Sequence, residues 1–479
     1  MKTQFDAVVV GSGPNGLAAA ITLQQQGLSV LLIEGKDTIG GGLRSAELTL
    51  PGFMHDVCSA VHPMAADSSV FKKFPLEKFG LEFLYSPFSA AHPFDDGSAV
   101  VLQTCVERTA QQFQHSEEYK QLINPLLNNW INIRSAFLGP LHISKQPIKT
   151  TSFAYHAIVS ASHLARNNFT DAKAQALFAG MAAHSMLPLN KLTTSAIALV
   201  LMLIAHYKGW PLIKGGSQKL ADALASYFIS LGGKIETNNM VASVIQLPLS
   251  KVILFDVSPK QLLKIAGEEF SSFHKWQLQR YKYGMGVFKI DWALSQPAPF
   301  RALQCRQATT AHLGNSFKEI IQSEQAVWNG KHSPNPFVIF VQPTIIDTSR
   351  APSEKYTAWA YCHVPNGSTH SMNNVIENQV ERFAPGFRDC ILARHTMNTL
   401  DLENYNPNYI GGDINGGVFN LTQFFTRPAL RLSPYRTSAK NIYICSASTP
   451  PGGGVHGICG YYAARRALKD VFKIQLPVL

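Results

Sequence analysis

The sequence predicts an α/β fold, and three observations support this prediction. The chain of 479 residues opens with an apolar strand, a glycine-rich turn and a helix. A second unit of strand, glycine loop and helix closes the chain from Asn441 onward. Between these ends, helical runs alternate with strand-like runs, which is typical of an inserted α+β part. With 46% hydrophobic residues the chain is long enough to bury more than one core.

The first unit has the order and spacing of a dinucleotide-binding βαβ motif. Residues 5–10 are apolar and β-branched, as in a strand buried on both faces, and a helix follows from Leu17. A second apolar strand over 29–33 ends at Glu34, where an acid that binds ribose belongs. The glycines of the turn let backbone N–H groups approach a pyrophosphate at the helix N-terminus, so we predict a Rossmann-type site for an adenine dinucleotide. The turn reads Gly11-Ser12-Gly13-Pro14-Asn15-Gly16.

The residues after Glu34 indicate which dinucleotide binds. Gly35 and Lys36 lead into the segment Gly40-Gly41-Gly42-Leu43-Arg44. The glycines offer a second close approach of backbone, and Arg44 offers a guanidinium for phosphate. This arrangement is typical of FAD enzymes of the glutathione-reductase and amine-oxidase type, so the chain resembles an FAD protein here.

The C-terminal unit gives an independent indication of a flavin. A strand from Asn441 runs into small residues that include Ala447, and a glycine loop opens onto a helix that begins near Ile458. A helix N-terminus walled by glycine suits the negative charge that collects on the pyrimidine end of a reduced flavin. We therefore expect FAD to be the cofactor. The loop contains Gly452-Gly453-Gly454-Val455-His456.

Several segments together resemble the phytoene-desaturase-like FAD-dependent oxidoreductases. The resemblance covers nearly the whole chain and lies nearest to the pyridine nucleotide-disulphide oxidoreductase domain-containing branch. It rests on residues 210–224, 288–294, 381–389, 406–413 and 446–457.

We expect a discontinuous organisation within this fold. The FAD-binding domain, of the glutathione-reductase and amine-oxidase type, comprises 1–66, 207–269 and 440–479, and an α+β substrate domain comprises 67–206 and 270–439. Within these segments we predict a helix over 217–231 and strands over 234–237, 241–245, 252–256, 286–291, 336–341 and 357–363. The last three strands predict an antiparallel sheet that covers the reactive face of the flavin.

The expected reaction is hydride transfer from a hydrophobic, isoprenoid- or lipid-like organic substrate to the flavin, with oxygen or a quinone as acceptor. Cys58 is the only cysteine among the first hundred residues, so disulphide chemistry beside the flavin is not predicted. A second strand–glycine–helix fingerprint for a nicotinamide is absent from the sequence. A flavin-dependent isomerase, an amine oxidase and a scaffold with structural FAD remain as alternatives.

The predicted site residues fall into two groups. His456, His55 and His62 are candidates for a catalytic role, because imidazoles near the flavin can donate a hydrogen bond or accept a proton. A metal site is not predicted, since the chain has no motif with ligand spacing such as H-E-x-x-H. The predicted cofactor-binding residues are Gly11, Gly13, Pro14, Asn15, Gly16, Glu34, Gly35, Lys36, Gly41, Gly42, Leu43, Arg44, Val241, Ala447, Gly453, Gly454, Val455 and His456.

The net charge and the cysteine content limit which partners and which cellular compartment we expect. The net charge of +11 is spread without basic runs, so we predict no nucleic-acid partner; a solvated surface or a face for anionic lipid accounts for it. Seven cysteines without a C-x-x-C motif predict a reducing, cytoplasmic location. The longest apolar run, 196–205, is too short to cross a bilayer and predicts a buried helix, with the lining of an apolar tunnel or a membrane-surface patch as alternatives. Peripheral membrane contact and a homo-oligomer remain open.

Overall fold

The computed structural model of this chain describes residues 4–140 and 147–479. Residues 1–3 and 141–146 belong to the predicted segments 1–66 and 67–206 and lie outside the described residues.

The strands are β1 Phe5–Val10, β2 Val30–Ile33, β3 Ser45–Glu47, β4 Met54–Asp56, β5 Phe83–Tyr85, β6 Ala90–Pro93, β7 Ala99–Leu102, β8 Pro211–Ile213, β9 Lys234–Glu236, β10 Ser250–Phe255, β11 Gly286–Leu294, β12 Thr310–Leu313, β13 Val338–Val341, β14 Tyr356–Val364, β15 Ile391–Met397 and β16 Ile442–Ile444.

The α-helices are α1 Pro14–Gln24, α2 Pro63–Ala66, α3 Val106–Ala110, α4 Ser116–Asn128, α5 Trp130–Phe137, α6 Pro147–Ile158, α7 Ala161–Asn168, α8 Ala172–Ala183, α9 Thr194–Tyr207, α10 Gln218–Ser230, α11 Pro259–Ala266, α12 Ser272–Gln279, α13 Leu303–Gln307, α14 Phe317–Trp328, α15 Asn373–Phe383, α16 Thr399–Tyr405, α17 Leu421–Phe425 and α18 Ile458–Ala467.

A five-stranded parallel sheet forms the dinucleotide-binding part. Its strand order is β16-β10-β1-β2-β9, so it takes strands from all three segments of the predicted FAD-binding domain. Apolar cores cover both faces, which explains why β1 and β2 are apolar at nearly every position. The predicted α/β fold with a parallel sheet is confirmed.

Helices α1 and α18 pack closely on one face of this sheet. The close packing of α18 against α1 depends on Gly460 of α18, because a Cβ there would lie 1.9 Å from the carbonyl oxygen of Asn15. The last helix of the chain thus lies against the first, and it brings the C-terminal glycine loop beside the N-terminal one.

A seven-stranded sheet forms the second part. Its order is β15-β11-β14-β13-β12-β6-β7, and its pairs are antiparallel except for β12 with β6. The long strands β11 and β14 match the predicted strands 286–291 and 357–363 and extend beyond them. One face packs on helices that include α8 and α9, and the other on a core that includes Trp292 and Phe340.

One sequence prediction of secondary structure is wrong. Residues 241–245, expected as a strand, form an irregular segment that ends in a 3₁₀ turn over Val244–Gln246. The Ser243 side chain accepts from the Ile245 N–H, and Gln246 Oε1 accepts from the Ser243 N–H at 3.0 Å. This reciprocal cap competes with the β-propensity of the valines and isoleucine.

The apolar run 196–205 lies within α9, which is packed in the core of the second part. In the described part of the chain, every helix is too short or too polar to span a bilayer. The domain boundaries themselves remain a prediction.

Candidate active site

A cavity of about 770 Å³ lies between the two sheets. One end is at the carboxyl ends of β1, β2 and β10, where ligands bind in open parallel sheets. The other end, which we call the chamber, is lined by side chains from the second part. Its size is in the range of small-molecule and cofactor sites. The chamber is lined by Ile197, Val200, Leu201, Trp210, Ile339, Val341, Trp359 and Tyr361, with His184 and Lys289 as its charged or titratable residues.

Most of the predicted cofactor-binding residues line this cavity. Gly16, Leu43 and His456 do not. Those that do are Gly11, Gly13, Pro14, Asn15, Glu34, Gly35, Lys36, Gly41, Gly42, Arg44, Val241, Ala447, Gly453, Gly454 and Val455.

The first glycine turn leaves the space that a pyrophosphate requires. A Cβ on Gly13 would lie 2.7 Å from Asp256 Oδ2, and a Cβ on Gly41 would lie 3.1 Å from the Gly13 Cα, so the two loops touch through bare backbone. Gly13, the residue before α1, has no side chain to cap the helix. The Asp256 carboxylate accepts from the Gly16 N–H at 2.9 Å in the first turn, and the glycine turn on the cavity side presents backbone to an anionic group.

Gly16 and Leu43 have structural roles in this fold, and their predicted contact with the cofactor stays a prediction. A Cβ on Gly16 would lie 2.0 Å from the Gly11 carbonyl oxygen, so the glycine allows α1 to pack against its own turn. Leu43 is fully buried in the core that covers the parallel sheet. Its neighbours Gly41 and Gly42 present backbone to the cavity while the leucine side chain points into that core.

Glu34 lies at the end of β2 and is held rigidly. Its Oε2 accepts hydrogen bonds from the Ser12 N–H at 3.0 Å and the Ser12 hydroxyl at 2.5 Å. Its Oε1 accepts from the Lys36 N–H at 3.0 Å and from Arg44 at 3.1 Å. These bonds fix the carboxylate on the cavity wall, in the position expected for a ribose-binding acid.

Arg44 does not present its guanidinium as a free phosphate ligand. Besides Glu34, it donates to the Thr38 carbonyl oxygen at 2.6 Å and to the Gly41 carbonyl oxygen at 3.3 Å. The ion pair and the loop bonds stabilise the glycine segment 40–42, and the predicted phosphate contact of Arg44 stays a prediction.

Asp256 is a site residue that the sequence analysis missed. It follows β10, is half-buried on the cavity wall and accepts a hydrogen bond from the Gly16 N–H at 2.9 Å. Burial, aided by the charge of Glu34, raises the pKa of Asp256 to about 7. The signal was available, because an acid at the carboxyl end of a central parallel strand lies at the edge where such sheets bind ligands.

His456 bonds within the C-terminal loop, and its predicted contact with the flavin stays a prediction. The ring is fully buried outside the cavity wall; Nδ1 accepts from the Ile458 N–H at 3.0 Å and Nε2 lies 3.2 Å from the Gly452 carbonyl oxygen. Burial lowers the pKa of His456 to about 4, so the ring is neutral near pH 7. Both nitrogens are used to join the glycine loop to the first turn of α18.

His55 is buried behind the cavity wall, and its catalytic role stays a prediction. Its Nε2 lies 2.8 Å from the Thr49 hydroxyl, and its Nδ1 lies 3.8 Å from Asp291. Burial lowers the pKa of His55 to about 4.

His62 does line the cavity. The Ser217 hydroxyl donates to the Ser59 carbonyl oxygen at 2.7 Å, so His62 Nε2, 2.7 Å from that hydroxyl, must be the donor. Nδ1 is then an unprotonated acceptor, and it has no partner among the described residues. Because burial lowers the pKa of His62 to about 4, the ring is neutral. Its catalytic role stays a prediction.

The cysteines give no support for disulphide chemistry. All seven are described, and none forms a disulphide. Cys58 lines the cavity, but burial raises the pKa of its thiol to about 11, so it is not a thiolate near neutral pH.

The chamber has apolar walls and few charges. The rings of Trp359 and Tyr361 stack at 5.8 Å between centroids, and Lys289 Nζ lies 5.4 Å from the Trp359 ring centre. Both carboxylate oxygens of Asp291 accept from Lys289 at 2.5 Å. The acids on the cavity wall are Glu34 and Asp256, both at the dinucleotide end. The chamber therefore offers no carboxylate to a cation.

Comparison with known proteins agrees with this geometry. Residues 9–74 match the model of an NAD(P)-binding Rossmann-like domain. The chain is 25% identical to the mouse (Mus musculus) pyridine nucleotide-disulfide oxidoreductase domain-containing protein 2, over 98% of this chain and 94% of that protein. It is 21% identical to a lycopene-forming phytoene desaturase of Pseudescherichia vulneris, over 96% and 98% of the two chains.

Solved structures share the fold at lower identity. Putrescine oxidase, solved with putrescine bound, matches with a TM-score of 0.64 and 15% identity over 98% of this chain and 99% of the other. The predicted resemblance is thus confirmed along the whole chain. The protein is an FAD-type oxidoreductase whose homologues include the phytoene desaturases and pyridine nucleotide-disulfide oxidoreductase domain-containing protein 2.

Proposed function

We propose that the protein binds FAD and oxidises a hydrophobic, isoprenoid- or lipid-like substrate by hydride transfer to the flavin, with oxygen or a quinone as the final acceptor. The observation that carries the proposal is the continuity of the glycine-lined dinucleotide end with an apolar chamber in one cavity. The known substrate of the phytoene desaturase relative, named for an isoprenoid, belongs to the same chemical class.

The residues present fit FAD. The N-terminus of α1 and the bare backbone at Gly13 and Gly41 suit the pyrophosphate, and Glu34 suits the adenosine ribose. The C-terminal loop at Gly453 and Gly454 lies on the same cavity and suits the isoalloxazine. Bound FAD would supply the hydride acceptor, while the chain orients the substrate and excludes water.

The chamber walls favour a neutral apolar substrate over a cationic one. Ile197, Val200 and Leu201 lie on one side, and Ile339 and Val341 of β13 also line the chamber. Burying apolar substrate surface here gains roughly 25 cal/mol per Å². A protonated amine would meet Lys289 without an unpaired carboxylate to balance its charge.

Amine oxidation is the second candidate, because one observation favours it. Trp359 and Tyr361 present a stacked aromatic pair on the cavity wall, and aromatic faces attract ammonium groups. However, Lys289 already lies over the Trp359 ring, so that face is occupied by a cation.

Anaerobic flavin reduction separates these functions. FAD-loaded protein is mixed in turn with phytoene in detergent, a long-chain polyprenol, putrescine and cyclohexylamine, and the visible flavin absorbance is followed. We expect bleaching by an isoprenoid and none by either amine. Leu201→Lys, which adds a charge to the chamber, should retain FAD but lose this bleaching. Bleaching by the amines alone would overturn the proposal in favour of amine oxidation.

A further inference from the structure

Several polar side-chain atoms on the wall of the chamber have no hydrogen-bond partner among the described residues. We propose that they form a binding site for a hydroxyl group of the substrate, so that the chamber takes an isoprenoid or lipid alcohol in preference to a hydrocarbon. This inference rests on the proposed function and narrows its substrate class.

Three of these atoms are buried in the wall. Ser185 Oγ, Thr310 Oγ1 and Trp359 Nε1 belong to residues that line the cavity, and none of the three has a partner within the described part of the chain. A buried polar group without a hydrogen bond destabilises a fold, so such groups are uncommon in native proteins. Three of them on one cavity wall indicate a place for a polar group of a ligand.

Trp359 differs in this respect from the other buried tryptophans. Trp130, Trp210 and Trp292 each donate from Nε1 to a carboxylate or carbonyl oxygen, at distances between 2.8 and 3.2 Å. Trp210 does so although it also lines the chamber. An indole N–H can only donate a hydrogen bond, so a ligand that satisfies Trp359 must offer an acceptor atom.

Two further polar atoms are open to the chamber. His184 Nδ1 and the Tyr361 hydroxyl make no hydrogen bond within the described residues, yet neither belongs to their buried atoms without a partner. Because both residues line the cavity, these atoms are accessible from it. The other ring nitrogen of His184, Nε2, lies 3.0 Å from Nε2 of His312, which lies beside His92 behind the wall. The His184 ring is therefore held from behind while Nδ1 faces the ligand.

The register of the second sheet brings these groups together. Thr310, Val341 and Trp359 lie opposite one another on β12, β13 and β14, and Ile339 lies opposite Tyr361 in the next row on the same face. Because neighbouring strands are roughly 4.8 Å apart, Thr310 and Trp359 lie about 10 Å apart on either side of Val341. The rings of Trp359 and Tyr361 stack at 5.8 Å between centroids. One small ligand group can therefore contact side chains of both rows.

The charges around the site suit an uncharged group. Lys289 donates to both carboxylate oxygens of Asp291 at 2.5 Å, so its charge is already balanced. Burial lowers the pKa of His184 to about 3, so this ring is neutral near pH 7. A hydroxyl accepts from the Trp359 N–H and can also donate, so it suits a wall that contains donors and acceptors.

An alcohol and a hydrocarbon differ in their effect on these polar atoms. The hydroxyl supplies the missing partner, whereas a hydrocarbon of the same shape covers the polar atoms and leaves them unpaired. A site that is built to bond a substrate hydroxyl therefore discriminates against the analogue that lacks it. The apolar side chains of Val200 and Leu201 contact the hydrocarbon chain that both ligands share.

A matched pair of ligands tests the inference. Farnesol is compared with the hydrocarbon that carries hydrogen in place of its hydroxyl, in the same detergent. Binding to FAD-loaded protein is measured anaerobically from the shift of the flavin spectrum before any bleaching. We expect the affinity ratio of alcohol to hydrocarbon to be at least roughly tenfold larger in the wild type than in the double variant Thr310→Val and Tyr361→Phe. Comparing ratios removes the different partition of the two ligands into detergent.

Tyr356→Phe is the matched control for this comparison. Tyr356 lies on the same strand as Tyr361 but outside the cavity wall, so its variant should keep the wild-type ratio.

Urea unfolding of Thr310→Val tests the unpartnered hydroxyl without any ligand. Valine has the shape of threonine, so the loss of a hydroxyl that had no partner should leave the urea midpoint unchanged or raise it. A lowered midpoint would show that the hydroxyl is bonded within the protein and would contradict the proposed site.

The outcomes separate the failure of this inference from that of the proposed function. Equal affinity ratios in the wild type and the double variant, or binding of neither ligand, would overturn the hydroxyl site. Hydroxyl-dependent binding without flavin bleaching would contradict the proposed oxidation and leave the site in place. Flavin bleaching by phytoene as fast as by the polyprenol would support the oxidation and contradict the hydroxyl site.

Discussion

The two ends of the cavity differ in what lines them: backbone lines the dinucleotide end, and side chains line the chamber. At the dinucleotide end the wall is largely backbone. This backbone belongs to glycine turns that directly follow strands in the sequence. At the chamber end the wall consists of side chains from α9, β11, β13 and β14 and of His184, which follows α8, and these residues are far apart in the sequence. The position of a backbone wall is set by the local spacing of residues in the sequence. The position of a side-chain wall is set only when the whole fold has formed. Variants should therefore affect FAD strongly at the first end and weakly elsewhere.

Gly13→Val should have the largest effect, which is loss of FAD binding. Its Cβ would lie 2.7 Å from Asp256 Oδ2, and its methyl groups would occupy the space for pyrophosphate. The measurement is flavin absorbance that stays with the protein through gel filtration, with circular dichroism to confirm folding. Gly267→Val is the matched control, because nothing lies within 4 Å of a Cβ there. Normal flavin content in Gly13→Val would mean that this turn does not hold the pyrophosphate.

Glu34→Ala should weaken FAD by about ten- to a hundredfold, because a charge-assisted hydrogen bond is worth roughly 1.5–3 kcal/mol. Titration of apoprotein with FAD, followed by flavin fluorescence, measures the change. Glu236→Ala, an exposed acid on the neighbouring strand β9, should bind FAD normally. Equal FAD affinities of the wild type and Glu34→Ala would show that the Glu34 carboxylate does not bind FAD.

Asp256 should make FAD affinity depend on pH. The pKa of its carboxyl is raised to about 7 in the absence of ligand, and the negative pyrophosphate would raise it further. Binding then takes up a proton, so affinity is full below pH 7 and falls by up to about tenfold per pH unit above it. Asp256→Asn should flatten this dependence. A wild-type affinity that is constant between pH 6 and pH 8.5 would contradict the protonated carboxyl.

His456→Ala should have the smallest effect on FAD, within about twofold, and should instead reduce stability. The variant loses the acceptor for the Ile458 N–H, and a lost helix cap costs about 1–2 kcal/mol. Urea unfolding measures the stability, and photoreduction against a reference dye measures the flavin potential. A shifted flavin reduction potential with unchanged stability in His456→Ala would indicate that His456 contacts the flavin.

Residues whose spacing is local could be predicted from the sequence. The turn from Gly11 to Gly16, the acid at Glu34 and the loop at Gly453 are fixed by a strand end and a helix start, so a short motif specifies their geometry. Asp256 could have been added on the same ground, because it ends a strand that the sequence predicted. The bonds that Arg44 and His456 make to their loops could not be predicted, because a polar side chain beside a glycine loop can bond either to a ligand or to the loop itself.

The chamber could not be predicted in this way. His92 and His312 become neighbours only because β6 pairs with β12, and His184 reaches them only because α8 packs against that sheet. The spacing of residues along the chain cannot predict a contact between elements that are far apart in the sequence. The apolar run over 196–205 indicated a buried helix, but which of its side chains line the cavity depends on how α9 is rotated in the core.

The position of β16 and α18 has a consequence for biosynthesis. These elements supply the edge strand of the parallel sheet, the second glycine loop and the helix that packs on α1, all from the last 40 residues of the predicted FAD-binding domain. A nascent chain on the ribosome therefore has a half-site, formed by the N-terminal segment, that stays open until β16 and α18 have been synthesised. Premature termination or proteolytic clipping before Ile442 would yield a product unable to retain FAD. Flavin uptake would thus report that synthesis has reached the C-terminal segment.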